Sequence, residues 1–314
     1  MLSRRTLSVL LATLAGAILA GCGSGGAGAV PGSSRTTAVA TTTQLGDLAR
    51  AVAGERAEVR QILRPNSDPH EYEPRPSDVK AVTGAAVVLR SGGGLDDWLD
   101  GVVDNARSDA KTTTLIDAAQ TRRREDGVDP HWWQDPRNAI AAVTRIRDVM
   151  STADPDGRAA YAANAAAYVA RLRALDGAIA RCMRSIPASR RKLVTDHDAL
   201  GPYADRYAID IVGAVIPALS TQAQASAGEV VRLVRTIRAT GVRTIFPERS
   251  ANSKLARAVA RDAGATLGPA LYADTLGPAG SPGATYIGSL RFNTRALAAG
   301  FGGARASASA RCQL

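Results

Sequence analysis

The chain has 314 residues, 39 of them Lys or Arg and 29 Asp or Glu, for a formal net charge of +10. That excess invites a nucleic-acid partner, but it is scattered. The densest run, Arg122-Arg123-Arg124, is followed at once by Glu125 and Asp126 in what reads as a loop. With no nucleic-acid motif present, the charge reads as a solvated surface or one drawn to anionic head groups.

Arg4 and Arg5 precede a largely apolar run over residues 7–19, and Ala20, Gly21 and Cys22 follow. This order predicts a signal peptide over residues 1–21, because the run is too short for a comfortable membrane span. Leu19-Ala20-Gly21-Cys22 resembles the bacterial lipobox, in which the cysteine is acylated. Cys22 is therefore the expected lipid anchor, and residues 22–36 the flexible tether. Removal of the leader lowers the charge from +10 to +8. About 280 residues then remain, enough for two domains of ordinary size. An extracytoplasmic setting permits Cys182 and Cys312 to pair, and their separation leaves the question open.

Two runs of alternating strand and helix follow. In the first, strands are predicted over residues 37–43, 59–63, 85–90 and 112–116, with helices over 45–53 and 96–105. In the second, strands over 192–195, 210–216, 243–246 and 266–271 alternate with helices over 200–207, 229–239 and 253–263. Ser226 and Glu229 form a capping box for the middle helix. Such alternation predicts an α/β fold of parallel sheets flanked by helices, with ligands bound beyond the carboxyl ends of the strands.

Between the runs, Asp154 and Pro155 signal a helix start and Pro187 a stop. Tyr161, Ala165, Tyr168, Leu172, Leu175, Ile179, Cys182 and Ile186 recur at steps of four and three. That is one apolar stripe on a helix of roughly 45 Å. A coiled-coil helix shares this signature, but the position between two α/β halves fits a rigid spine. The expected organisation is a lobe over 37–153, a linking helix over 154–186, a second lobe over 187–302 and a tail over 303–314.

The sequence holds three histidines. His70 lies in Asp68-Pro69-His70-Glu71, His131 in Asp129-Pro130-His131-Trp132-Trp133-Gln134-Asp135-Pro136, and His197 in Thr195-Asp196-His197-Asp198. Each falls in a loop or at a strand end, beside prolines or acids. Neutral imidazole is a favoured zinc ligand. Spacings of 61 and 66 residues mean that a shared site forms only where separate elements converge, as in a cleft. Asp68, Asp129, Asp196 and Asp198 are candidates to orient the rings.

The segments Pro69-His70-Glu71-Tyr72-Glu73-Pro74-Arg75-Pro76-Ser77-Asp78-Val79, the His131 motif above and His197-Asp198-Ala199-Leu200-Gly201-Pro202-Tyr203-Ala204 resemble the zinc/manganese substrate-binding proteins of bacterial ABC transporters. The likeness runs in order over nearly the whole mature chain. It implies two four-stranded lobes joined by one long helix, a divalent metal in the interlobe cleft, and delivery to a membrane permease. It also implies His70, His131, His197 and Asp274 as ligands, Asp274 lying in Leu271-Tyr272-Ala273-Asp274-Thr275-Leu276. Glu248, in Phe246-Pro247-Glu248, is expected just behind the site. Three imidazoles and one carboxylate suit Zn²⁺ in a tetrahedral or five-coordinate site, with Mn²⁺ the alternative. A single carboxylate beside a dication implies a net positive site.

Two features depart from the family pattern. Many zinc-uptake members carry a His-rich loop, where this chain has the basic segment 121–126. Trp133 and Pro202 depart from the usual aromatic pattern. The expected protein is a monomer and not an enzyme. The rival reading is an exported zinc hydrolase with Glu71 or Glu248 as general base, and a surface-adhesion or metal-sensing role would share the same binding physics.

Overall fold

A computed structural model describes residues 35–121, 123–124, 127–302, 312 and 314. The expected signal peptide, Cys22 and most of the tether and tail lie outside the described residues.

The first sheet is built from β1 (Thr36–Ala40), β2 (Ala57–Gln61), β3 (Val87–Arg90) and β4 (Lys111–Thr114), all parallel in the order β2-β1-β3-β4. Helices α1 (Thr43–Ala53), α2 (Pro76–Val82) and α3 (Leu99–Ala106) connect its strands. Thr42 caps α1 by accepting from Leu45 N. Central strand β1 is apolar on both faces at Ala38, Val39 and Ala40, each fully buried, as expected of a parallel sheet covered on both sides. A two-residue antiparallel ladder joins β5 (Arg123–Arg124) to β6 (Gly127–Val128) where the sequence read as a plain loop.

Helix α4 (Pro136–Ala153) leads to α5 (Arg158–Arg184), the long helix between the halves. All eight stripe residues from Tyr161 to Ile186 are buried. Helix α5 packs along α4 and also touches α1, α6 (Gly201–Tyr207) and α9 (Tyr286–Gly302), so it braces elements from both halves of the chain. Its start differs from expectation. Asp154 and Pro155 open a single 3₁₀ turn, Pro155–Gly157, before the α-helix proper. Asp154 is used more widely than as a cap: its carboxylate accepts from Gly157 N, from the Arg56 guanidinium and from Tyr161 Oη.

The second sheet repeats the first. Strand β7 (Lys192–His197) pairs in parallel with β8 (Asp210–Ile216), and β9 (Thr244–Ile245) with β10 (Thr266–Leu267). The pairs join where Thr195 bridges Phe246, with Phe246 N donating to Val194 O at 2.9 Å. The resulting order β8-β7-β9-β10 matches that of the first sheet. Helices α6, α7 (Ala227–Thr240) and α8 (Lys254–Ala263) connect it, and Ser226 and Glu229 form the predicted capping box.

Helices α2, α4 and α9 were not expected. The Asp135-Pro136 start of α4 was absorbed into the His131 motif. Helix α9 is buried on most sides, so it lacks the polar stripe that marks an amphipathic helix. The cysteines left open by the sequence are joined: Cys182 on α5 and Cys312 form a disulfide, with Cα atoms 4.7 Å apart.

Candidate metal centre

All four predicted ligands meet beyond the carboxyl ends of the strands. His70 lies in the loop after β2, His131 in the connection from β4 just past β6, His197 closes β7, and Asp274 follows β10. One ligand atom from each lies within 4.8 Å of those of the other three. His131 Nε2 is 3.4 Å from His70 Nε2 and 3.3 Å from His197 Nε2. Asp274 Oδ2 is 3.3 Å from His70 Nε2 and 3.1 Å from His197 Nε2, and Oδ1 is 3.5 Å from His131 Nε2.

Local chemistry fixes which face of each ring points inward. His131 Nδ1 is 2.8 Å from Asp129 Oδ1, which also accepts from His131 N. His197 Nδ1 is 2.7 Å from Glu248 Oε1. A carboxylate accepts only, so each Nδ1 carries a proton and each Nε2 faces the centre. Glu248 is itself held by its N–H, which donates to Asp196 Oδ2 at 2.7 Å. Of the four candidate orienting acids, Asp129 bonds a ring directly. Asp68 accepts from the main chain of His70, Asp196 acts through Glu248, and Asp198 contributes its N–H to Ala218 O.

Electrostatics favour a cation. His131, His197 and Asp274 are buried, and the His70 side chain is 7% exposed. Neither oxygen of Asp274 accepts a conventional hydrogen bond, so a fully enclosed carboxylate faces only ring nitrogens. Burial opposes charge on His197, but Glu248 and Asp274 outweigh it and raise the ring's pKa well above the usual histidine value. Burial likewise opposes charge on Asp274, yet His197 and His131 hold its carboxyl well below the usual range. Burial and nearby Glu248 push Asp196 up to about 7. An enclosed carboxylate needs positive charge beside it, which a proton on His197 or a metal ion at the centre supplies. The site differs from the net positive one expected, because Asp129 and Glu248 add two buried carboxylates behind the rings.

No local sequence pattern signals how Asp274 is held. The carbonyl of Ala273 accepts from Gln134 Nε2 (2.8 Å), Trp133 Nε1 (3.0 Å) and Gln44 Nε2 (3.3 Å), all from the first half of the chain. Thr43 Oγ1 accepts from Leu276 N, and Asn66 N donates to Leu276 O. Main-chain acceptors leave no sequence pattern. The Trp133-Gln134 pair beside His131 was the one available hint.

Residues 38–300 match the profile of the family described as zinc-uptake complex component A periplasmic, ZnuA. The chain belongs to this family. The ZnuA family is one of substrate-binding proteins of ABC transporters rather than enzymes, so the hydrolase reading falls away. Among its relatives is a manganese-binding lipoprotein, MntA, of Halalkalibacterium halodurans, 34% identical over 286 residues and spanning 90% of this chain and 94% of that one. The metal ABC transporter substrate-binding lipoprotein ScbA of Streptococcus cristatus is 27% identical, with coverage of 94% and 98%. The periplasmic zinc-binding protein TroA of Treponema pallidum superposes with a TM-score of 0.78 at 25% identity, covering 84% of this chain and 98% of its own.

Proposed function

We propose that this protein is an extracytoplasmic carrier that binds one Zn²⁺ through His70, His131, His197 and Asp274 and passes it to an ABC transporter permease. The observation that carries this reading is the spacing of the donors. A tetrahedral zinc about 2.0–2.1 Å from its nitrogens keeps them about 3.3–3.4 Å apart. His131 Nε2 lies 3.4 and 3.3 Å from the other two Nε2 atoms, the oxygens of Asp274 lie 3.1–3.5 Å from the three rings, and one ligand atom from each residue lies within 4.8 Å of the rest. Three imidazoles suit this borderline ion. Delivery to a permease follows from family membership and from the transporter named for the ScbA relative.

Manganese is the second reading. Both oxygens of Asp274 face the rings, which offers a fifth donor, and the MntA relative is named for manganese. Elemental analysis of protein purified without added metal, followed by zinc–manganese competition, decides between them. One zinc per chain that manganese fails to displace supports the first reading, and preferential manganese retention supports the second.

The anchor is Cys22, within the Leu19-Ala20-Gly21-Cys22 motif. Cys22→Ser should abolish labelling by a radioactive fatty acid and release the protein from the membrane; continued labelling would refute the assignment.

A further inference from the structure

The four donors are not equally secured. His131 and His197 are each tied at Nδ1 to a buried carboxylate, and Asp274 sits on a loop stapled through Ala273. His70 is held through its main chain: its N–H donates to Asp68 Oδ1 at 2.9 Å, and its carbonyl accepts from Gln222 Nε2 at 2.6 Å. Gln222 lies in the other half of the chain, 152 residues away, on the loop between β8 and α7. That same loop is joined to the segment after His197, where Asp198 N donates to Ala218 O at 3.1 Å. Residues 218–222 thus run from the neighbour of one histidine to the carbonyl of another.

His70 is also the partly exposed donor, its side chain 7% accessible. A cavity of about 300 Å³, lined in part by Asp68, Glu71 and Thr221 of the 218–222 segment, reaches His197. Any path that frees the ion by moving one donor costs least at His70, the donor with the fewest side-chain ties and the one partly exposed.

We infer that the 218–222 segment is a strap across the mouth of the metal site, with Gln222 the positioning residue that holds His70 in its ligating place. The inference rests on the metal-carrier reading above. On this reading the Gln222 bond breaks when His70 leaves its place, so removing it speeds departure of the ion more than arrival. A hydrogen bond is worth about 0.5–1.5 kcal/mol, or roughly a two- to twelvefold change in release rate.

The test is stopped-flow release of zinc from loaded protein into excess metallochromic chelator, with association rates and the melting temperature of the metal-free protein recorded alongside. Gln222→Ala and Gln222→Glu, whose carboxylate cannot donate, should both release zinc roughly two- to twelvefold faster. Association and melting temperature should match the wild type, and Gln224→Ala on the same loop should behave as wild type. Wild-type release rates in both Gln222 variants, or equal acceleration by Gln224→Ala, overturn the strap and leave the carrier reading intact. A wild type that loads no metal refutes the carrier reading, and the strap falls with it.

Discussion

Gln134 Nε2 stands 2.8 Å from the carbonyl oxygen of Ala273, joining the turn behind one proposed ligand, His131, to the loop that carries another, Asp274. The bond crosses between the two halves of the chain and is fully buried. Two donors a long way apart in sequence are therefore aligned by a contact that touches neither.

Replacing that amide should loosen the site without unfolding the protein, since Trp133 and Gln44 still reach the same oxygen. Gln134→Leu is expected to weaken zinc binding about tenfold, the value of one buried hydrogen bond. Calorimetry with the variant would read this, and an unchanged dissociation constant would remove the staple from the account.

The carboxylates behind the rings should matter almost as much as the ligands. Asp129→Asn and Glu248→Gln keep the shape but remove the negative charge that strengthens each bond to Nδ1–H. Each should lower metal affinity about 10- to 100-fold, as partners of ligating histidines commonly do. Competition against a chelator of known affinity measures this, with far-ultraviolet circular dichroism as the check on folding.

Acid should erode stability at the entrance to the long helix. The Arg56 guanidinium, followed by the Tyr161 hydroxyl and Gly157 N–H, holds the Asp154 carboxyl down to about 2. An unfolded aspartate titrates near 3.9. Because the folded value is the lower one, this stabilisation is complete above about pH 4 and disappears as pH falls towards 2. Arg56 is 42% exposed, so solvent screens the pair and the effect is about 1 kcal/mol. Asp154→Asn should flatten the pH dependence of urea unfolding across that window, whereas an unaltered slope would contradict the assignment.

Reduction of Cys182–Cys312 should destabilise the chain while leaving the metal site intact. The bond closes a loop of 130 residues, and cross-links of that span restrict the unfolded chain most. The double change Cys182→Ser with Cys312→Ser should cost about 2–5 kcal/mol in chemical unfolding. Zinc stoichiometry should remain at the wild-type value. Loss of binding in the folded variant would show that the cross-link shapes the cleft as well.

The readable parts of the molecule share one property: their signals are local. His70, His131, His197 and Asp274 each sit in a short distinctive segment, and the stripe from Tyr161 to Ile186 is periodic, so both could be named from the sequence. The connections between them are not local. That Asp129 bonds a ring while Asp68 holds main chain and Asp196 acts through Glu248 depends on where the chain turns. The Ala273 carbonyl and the Gln222 contact to His70 involve main-chain atoms that every residue possesses. Helix α9 escaped notice for the opposite reason, since burial on most sides erases the contrast that periodicity needs.

Asp129, Glu248 and Asp274 around three rings that are neutral when they ligate would also bear on which ions the proposed site admits. An alkali ion at the centre would face two surplus negative charges with little water to screen them, twice the excess left by a doubly charged ion. Magnesium and calcium carry enough charge but take oxygen donors, and here nitrogen predominates. If the proposed ligands hold the cargo ion, the commonest dissolved cations are disfavoured by valence and by hardness at the point of binding.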